Sequence, residues 1–294
     1  MPFTFYVQLF INAISLGSIY VVIALGFTLI FSVLKFANFS HGGIMVVSAY
    51  FAFVLTRDYS LGFLPVMLLT AVFGALLSCL VQLIGFERLR RKEGNVMLLF
   101  VASATLGALL QNTIVITFSS RYYSFPVFFP RLFYRFGPFT VPTVDLMMLV
   151  FSTICIVLLM FMLYKTRLGI SIRALALDPS TVQLMGINVS AVMAITFMIS
   201  GALGAVAGIF TGMSLILHPH LNQLVLKGMV ASILGGLGNI SGALYGGMLL
   251  AMMEVFLTYL VGGSVMPAYI FIFTCVFLLV RPQGISGKFT LEKV

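Results

Sequence analysis

Charge is what this chain of 294 residues has least of: Asp, Glu, Lys and Arg together make up 8% of it, while hydrophobic residues make up 61%. With a mean hydropathy of +1.17, that scarcity excludes a water-soluble globule and leaves a polytopic membrane protein. Catalytic signatures are missing too. There is no G-x-x-x-x-G-K-[ST] phosphate loop, and GISGK, ending at Lys288, has the wrong spacing and no Ser or Thr after the lysine. Nor is there H-E-x-x-H, G-x-S-x-G or a paired set of intramembrane acids, so the chain is expected neither to hydrolyse ATP nor to be an enzyme, and no cofactor is expected on it. Cysteine is sparse: Cys79, Cys155 and Cys275 each sit inside an apolar run as small hydrophobes, which predicts no disulfide framework and no metal site. His218 and His220 flank Pro219 with no Cys, Asp or Glu nearby, and read as a turn at the membrane surface rather than a ligand pair. The first apolar run has neither a basic n-region nor an A-x-A-like cleavage site and reads as a retained span.

What is present is one long apolar run after another. A bilayer core needs about 20 predominantly apolar residues per helix, and runs of that length recur without strand-like alternation. The expected fold is all-α, a single transmembrane domain over residues 1–294 with about eight to nine helices, some broken or re-entrant. Spans are predicted over Phe5–Leu34, Gly62–Phe86, Val96–Phe118, Thr143–Tyr164, Ala191–Leu217, Ala243–Leu260 and Val265–Val280, with a further apolar stretch over Ile44–Val54. Gln111 and Asn112 stand within a span as candidates for interhelical hydrogen bonds, and SGALGAVAG (200–208) has the small residues that let helices pack closely. Ser119–Pro142, rich in proline and aromatics, reads as an external loop lying on the interface.

Two interruptions are polar yet nearly uncharged. KFANFSHGG places Asn38, Ser40 and His41 before Gly42 and Gly43, groups too costly to face lipid. They line a water-accessible cavity, pack inside protein, or form an ordinary loop. Gln223–Gly247 holds Lys227 and then GGLGNISGALYGG, with Gly235, Gly236 and Asn239, and is too glycine-rich for one uniform span, so a broken or re-entrant pair is expected. Asn38-Phe39-Ser40 and Asn239-Ile240-Ser241 form a weak internal echo, which would fit an inverted repeat with a site at its interface. Glu254 is the only acid deep in the later spans and must face protein or water, as a pore or coupling residue or as a helix–helix contact.

The third interruption, Lys165–Ser190, is hydrophilic and ordered. Asp178 is placed as an N-cap, Pro179 at the first helical position and Gly186 as a stop, which predicts a short helix over Pro179–Met185 presented to a partner. The formal charge of +9 would suit nucleic acid, but the sixteen basic residues fall in short breaks, where topology explains them. Arg88, Arg90, Arg91, Lys92, Lys165, Arg167, Arg173, Arg281, Lys288 and Lys293 fall on one side, and Arg57, Arg121, Arg131 and Arg135 on the other. The first group marks the cytoplasmic side and places the carboxyl end there. Lys35 and Lys227 stay unassigned, and the side of the amino end depends on whether residues 38–57 cross fully.

Three stretches carry a resemblance: NFSHGG with the following SAYFAF, RALALDPSTVQLMGINV leading to TFMISGALGAVAG, and KGMVASILGGLGNISGALYGG. In their order and spacing the chain resembles the inner-membrane permease subunits of branched-chain amino acid (Liv-type) ABC importers. ALGAVAG departs from the more usual ALAGxAG by a swap of small residues. The resemblance implies a bacterial plasma-membrane location, two ABC ATPase subunits that use ATP, a second related permease and an external substrate-binding protein. It implies that Arg173, Asp178, Gln183, Met185 and Gly186 couple to an ATPase. Asn38, Ser40, His41, Gly42, Gly235, Gly236, Asn239 and Glu254 would border the solute path. The solute would be a branched-chain amino acid, another amino acid, urea or a short amide. The competing class is a channel or ion-coupled secondary carrier that works without ATPases, with Glu254 as a proton site.

Overall fold

The computed structural model describes residues 3–92, 95–126, 128–129 and 133–286, with the side chains of Arg91 and Lys92 excepted. Arg131, Lys288 and Lys293, used in the charge count, lie outside the described residues. Among those described, six helices are long and apolar enough to cross a membrane. They are α1 (Phe3–Leu34), a continuous run of α3 (Phe63–Val81) through a π-helical turn (Gln82–Glu87) into α4 (Arg88–Lys92), α5 (Val96–Phe118), α6 (Thr143–Lys165), α9 (Val189–Ser214) and α11 (Ile240–Val261). Three shorter helices, α2 (Ser40–Tyr59), α10 (Gln223–Gly235) and α12 (Met266–Val280), complete the bundle, and α7 (Arg167–Leu177) and α8 (Pro179–Leu184) occupy the hydrophilic interruption.

Two ends of the bundle are defined by contacts. At one, a β-hairpin, Phe133–Phe136 (β1) with Phe139–Pro142 (β2), turns at Gly137 with φ +62°. Its Thr140 exchanges two hydrogen bonds with Gln8 of α1, 2.9 Å from Gln8 Nε2 to the carbonyl and 3.1 Å from the Thr140 amide to Gln8 Oε1. Phe5 packs at a tilt against Tyr259 of α11, and Phe53 of α2 against Tyr123, at the same end. The expected interfacial loop is therefore partly a hairpin anchored on α1. At the other end, Ser32 and Lys35 share a cavity with Tyr164, Arg173 and Gly238, and Arg90 bonds Ser190 at 3.0 Å. Among the described residues the helices alternate in direction between these ends, α2 and α10 starting partway through the bundle, and the amino end and α7–α8 lie at opposite ends.

Small residues set how closely the passes approach. A Cβ on Gly201 of α9 would stand 2.3 Å from the Gly74 carbonyl of α3, and one on Gly208 would stand 2.6 Å from the Met45 carbonyl of α2. SGALGAVAG thus packs backbone against backbone, as its composition predicts. The core is centred on α1, whose residues from Ile19 to Leu34 are almost all buried, with α9, α10 and α11 around it. By contrast α3 turns Leu64, Leu68, Val72, Leu76 and Leu80 outward, an apolar face fit for lipid.

Residues 35–39 leave α1 at the α7–α8 end and turn back inward, so that α2 begins beside Gly107, about 16 Å along α5 at 1.5 Å per residue. Residues 215–222 do the converse from the hairpin end and deliver α10 to the same depth, where Asn222 packs on Gly42. The two returns that meet inside the bundle are these. The Asn38 and Asn239 segments do not meet, and what they share is local: each asparagine side chain accepts from a nearby backbone amide, Asn38 from Ser40 N at 3.0 Å just ahead of the Phe39 cap position of α2 and Asn239, the cap of α11, from Gly242 N at 3.2 Å.

Candidate functional site

The residues singled out from the sequence occupy three places. Asn38, Ser40, His41 and Gly42 gather at the start of α2, deep in the protein. Asn38 Oδ1 accepts from Ser40 N at 3.0 Å and Ser40 Oγ at 2.7 Å, so Asn38 and Ser40 build the helix start. His41 is fully buried against Gly26 of α1 and Gly204 of α9; its Nδ1 lies 3.3 Å from Ser200 Oγ, and that hydroxyl donates to the Gly26 carbonyl at 2.8 Å. Of the readings open for this break, packing inside protein is the one the structure displays. The glycines around His41 make its room: a Cβ on either Gly26 or Gly204 would stand 2.9 Å from the ring.

Gly235, Gly236 and Asn239 lie at the other end, in the turn between α10 and α11. A Cβ on Gly235 would stand 2.1 Å from the Gly242 carbonyl, and one on Gly246 2.0 Å from the Ala231 carbonyl, so α10 and α11 touch backbone to backbone. Residues 281–286 seal this corner: Ser286 N donates to the Gly235 carbonyl at 3.0 Å, Ile285 N to Leu234 at 2.8 Å, and Asn239 Nδ2 to Ser286 O at 2.8 Å. Asn239 also lines a cavity of about 710 Å³ with Lys35, Tyr164 and Arg173, which joins a residue of the expected path to one of the expected coupling set. Partial burial lowers the Lys35 ammonium below its usual value, and the Arg173 guanidinium stands 5.2 Å over the Tyr164 ring.

Glu254 is in the third place and has partners that spacing could not reveal. Its Oε1 accepts from Lys227 Nζ at 2.6 Å and its Oε2 from the Tyr20 hydroxyl at 2.8 Å, while Lys227 Nζ also reaches the Tyr20 oxygen at 3.0 Å. The triad ties α1, α10 and α11 together. Lys227, left unassigned by its sequence position, is thereby an ion-pair partner of Glu254, whose contacts join helices. Removing either charge would strand the other in a low-dielectric interior.

The hydrophilic interruption folds as two helices rather than one. Thr166 caps α7, accepting from Gly169 N at 3.1 Å, and Asp178 caps α8 through Ser180 N at 2.9 Å and Thr181 N at 3.3 Å, with both hydroxyls added. Those hydroxyl and amide donors hold the Asp178 carboxyl down to about 2. At the far end Gly186 takes φ +79°, with its N–H on the Gln183 carbonyl and Ile187 N on Val182, which is a Schellman stop. Ile172, Leu175 and Val182 anchor the pair inward, while Leu177, Leu184 and Met185 are 87%, 88% and 75% exposed. Three large apolar side chains are thus held outward on capped helices.

One positioning element had no signal in the sequence reading beyond the basic cluster. Glu87, at the end of the π-helical turn, accepts from Arg90 at 3.1 Å, Gln82 at 3.1 Å and the Ser190 hydroxyl, linking α4 to the start of α9 just after α8. Beside it a cleft of about 580 Å³ is lined by Arg90, Gln183 and Asn188.

Comparison with known proteins matches residues 9–280 to the family described as branched-chain amino acid transport system / permease component. The permease BraD of a high-affinity branched-chain amino acid transport system in Pseudomonas aeruginosa is 30% identical over 98% of this chain and 98% of its own. A probable permease of the same kind, LivH of Methanocaldococcus jannaschii, is 31% identical over 94% and 91%. LivH of Escherichia coli K12 is 25% identical over 99% of both chains. No solved structure matches the chain.

Proposed function

Because the chain belongs to the branched-chain amino acid transport permease family, we propose that it is one transmembrane permease subunit of an ATP-driven importer, carrying a branched-chain amino acid or a related small polar solute across a bacterial plasma membrane by alternating access. The observation that carries this reading is the α7–α8 unit. It is capped at both ends, anchored by buried side chains and presents Leu177, Leu184 and Met185 outward at one end of the bundle. A chain without a phosphate loop needs its energy from elsewhere, and a rigid apolar knob is the shape that receives it from an ATPase surface. Asp178 and Gly186 build the knob, Met185 is part of its contact face, and Gln183 and Arg173 border the clefts on either side.

On this reading the α7–α8 end is cytoplasmic and the carboxyl end with it, the hairpin and amino end are external, and a second permease, two ATPases and an external binding protein complete the assembly. ATP is used by those partners alone. The ion-coupled alternative loses its main support, since Glu254 already has Lys227 as counter-ion and Tyr20 as donor. Two measurements test the proposal. Purification of this chain from its native membrane should bring two ABC ATPases with it, and recovery of the chain alone with ion-driven uptake would overturn the reading. In the assembled complex, Met185→Asp should abolish ATP-dependent uptake of radiolabelled leucine while membrane insertion persists, and undiminished uptake would show that α8 is only a connector.

A further inference from the structure

The two chain returns that meet inside the bundle leave a cavity of about 310 Å³ between α5, the start of α2 and the start of α10, lined by Phe39, Gly107, Gln111, Asn222 and Gln223. It adjoins the Asn38–Gly42 segment through Phe39 and Gly42, but Gln111, Asn222 and Gln223 are not among the path residues anticipated from the sequence. Gly107 and Gln111 stand about 16 and 22 Å along a helix of about 34 Å at 1.5 Å per residue, so the cavity lies within the membrane-spanning part. Three carboxamides converge there. Gln111 Oε1 accepts from Asn222 Nδ2 at 2.7 Å, and Gln111 Nε2 lies 3.0 Å from His220 Nδ1. Asn222 Oδ1 is buried with no partner among the described residues, and the Gln223 carboxamide is exposed beside it.

An exposed carboxamide and an unpaired carbonyl oxygen at this depth are incompatible with hydrocarbon, which offers polar groups no hydrogen-bond partner. The contrast with the wholly apolar outward face of α3 singles out the α5–α10 side as one not turned to lipid. Gln223 and Lys227 are one turn apart on α10 and share a face, so the carboxamides lead toward the partly exposed Lys227 ammonium. The rest of the lining is apolar, with Ala104 and Ala108 on α5 and Val225 and Leu226 on α10.

We propose that this cavity is a station on the solute path, binding the polar end of a small zwitterionic or amide solute through Gln111, Asn222 and Gln223 and its apolar end on the alanine and Leu226 wall. Carboxamides donate and accept at once, so they meet a carboxylate, an ammonium or an amide without imposing a charge. The volume corresponds to about ten waters at about 30 Å³ each, which is room for one amino acid. The inference rests on the permease reading above and adds where the solute binds.

The test uses the complete assembly with its native cysteines replaced, in membranes, with L-leucine as the probe. Gln223→Cys should react with a membrane-impermeant thiol reagent, and saturating leucine should slow that reaction about ten-fold, while Val72→Cys on the outward face of α3 stays unreactive. Gln111→Leu should raise the leucine concentration for half-maximal uptake about ten-fold, with the subunits still copurifying. An unreactive Gln223→Cys, or a reactive one that leucine does not protect, overturns the site, as does Gln111→Leu with unaltered leucine dependence. Uptake by the unmutated assembly is measured first. Its absence would count against the permease reading, whereas uptake with an unprotected Gln223→Cys counts against this site alone.

Discussion

At the scale of single residues, the Lys227–Glu254–Tyr20 triad joins three helices through one ion pair and two further hydrogen bonds. Lys227 keeps about a third of its side chain exposed and Glu254 about a tenth, so the pair is only partly desolvated. Truncating one member of a buried pair costs about 3–5 kcal/mol, and the low end suits this geometry. Lys227→Met and Glu254→Leu should each lower the melting temperature of the detergent-solubilised assembly and its yield, and the double variant should recover part of the loss. Equal stability of both single variants with the wild type would show that the triad contributes nothing to folding. The Asp178 cap gives a second, signed expectation. Its carboxyl is depressed from 3.8 to about 2, so its contribution is complete above the unfolded value and fades only as pH falls through about 2. Uptake between pH 5 and 8 should therefore show no inflection from α8, whereas Asp178→Ala should lower transport per ATP hydrolysed and Asp178→Asn should retain most of it.

At the scale of elements, two glycines make opposite demands. Gly235 is where α10 and α11 cross: an added methyl would meet the Gly242 backbone at 2.1 Å, and no side-chain rotation relieves a clash with backbone. Gly235→Ala should strongly reduce the amount of folded permease recovered from membranes. Gly186 faces open space, so its requirement is conformational only. Gly186→Ala should cost about 1–2 kcal/mol through its left-handed φ, and Gly186→Asn less. Circular dichroism of the purified subunit would register neither well. The ratio of uptake to ATP hydrolysis would report on α8 and should fall for alanine more than for asparagine. The cap and stop of α8 were legible because both rest on neighbours in sequence. The helix before it was not, since α7 exposes Ile170 and Leu177 beside Arg167 and Arg173, a mixed pattern that hides its buried anchors, Ile172 and Leu175.

At the scale of the whole molecule, the alternation of the helices puts the amino end with the β-hairpin and opposite α7–α8. A cysteine at Thr4 should react with an impermeant reagent added outside intact spheroplasts, and one at Leu184 should react only after the membrane is opened. Reversal of that pattern would invert the whole assignment, cytoplasmic docking face included. Composition and positive-residue bias had left eight or nine passes open. The ambiguity came from 38–57, where a polar start and an ordinary apolar finish suit a crossing and a re-entry alike.

Hydropathy, caps and small-residue spacing are local properties, and they sufficed for the all-α class, the long spans, the α8 knob and the glycine contacts of α9. The pairing of Lys227 with Glu254 and Tyr20, the burial of His41 and the carboxamide cluster of Gln111 with Asn222 were decided only in three dimensions. Each joins residues from separate helices, up to 234 positions apart, and which faces meet depends on the packing of the entire bundle. A polar residue in an apolar run announces that it needs a partner. Only the tertiary structure says whether that partner is protein already present, as for Glu254, or a space left open, as beside Gln223.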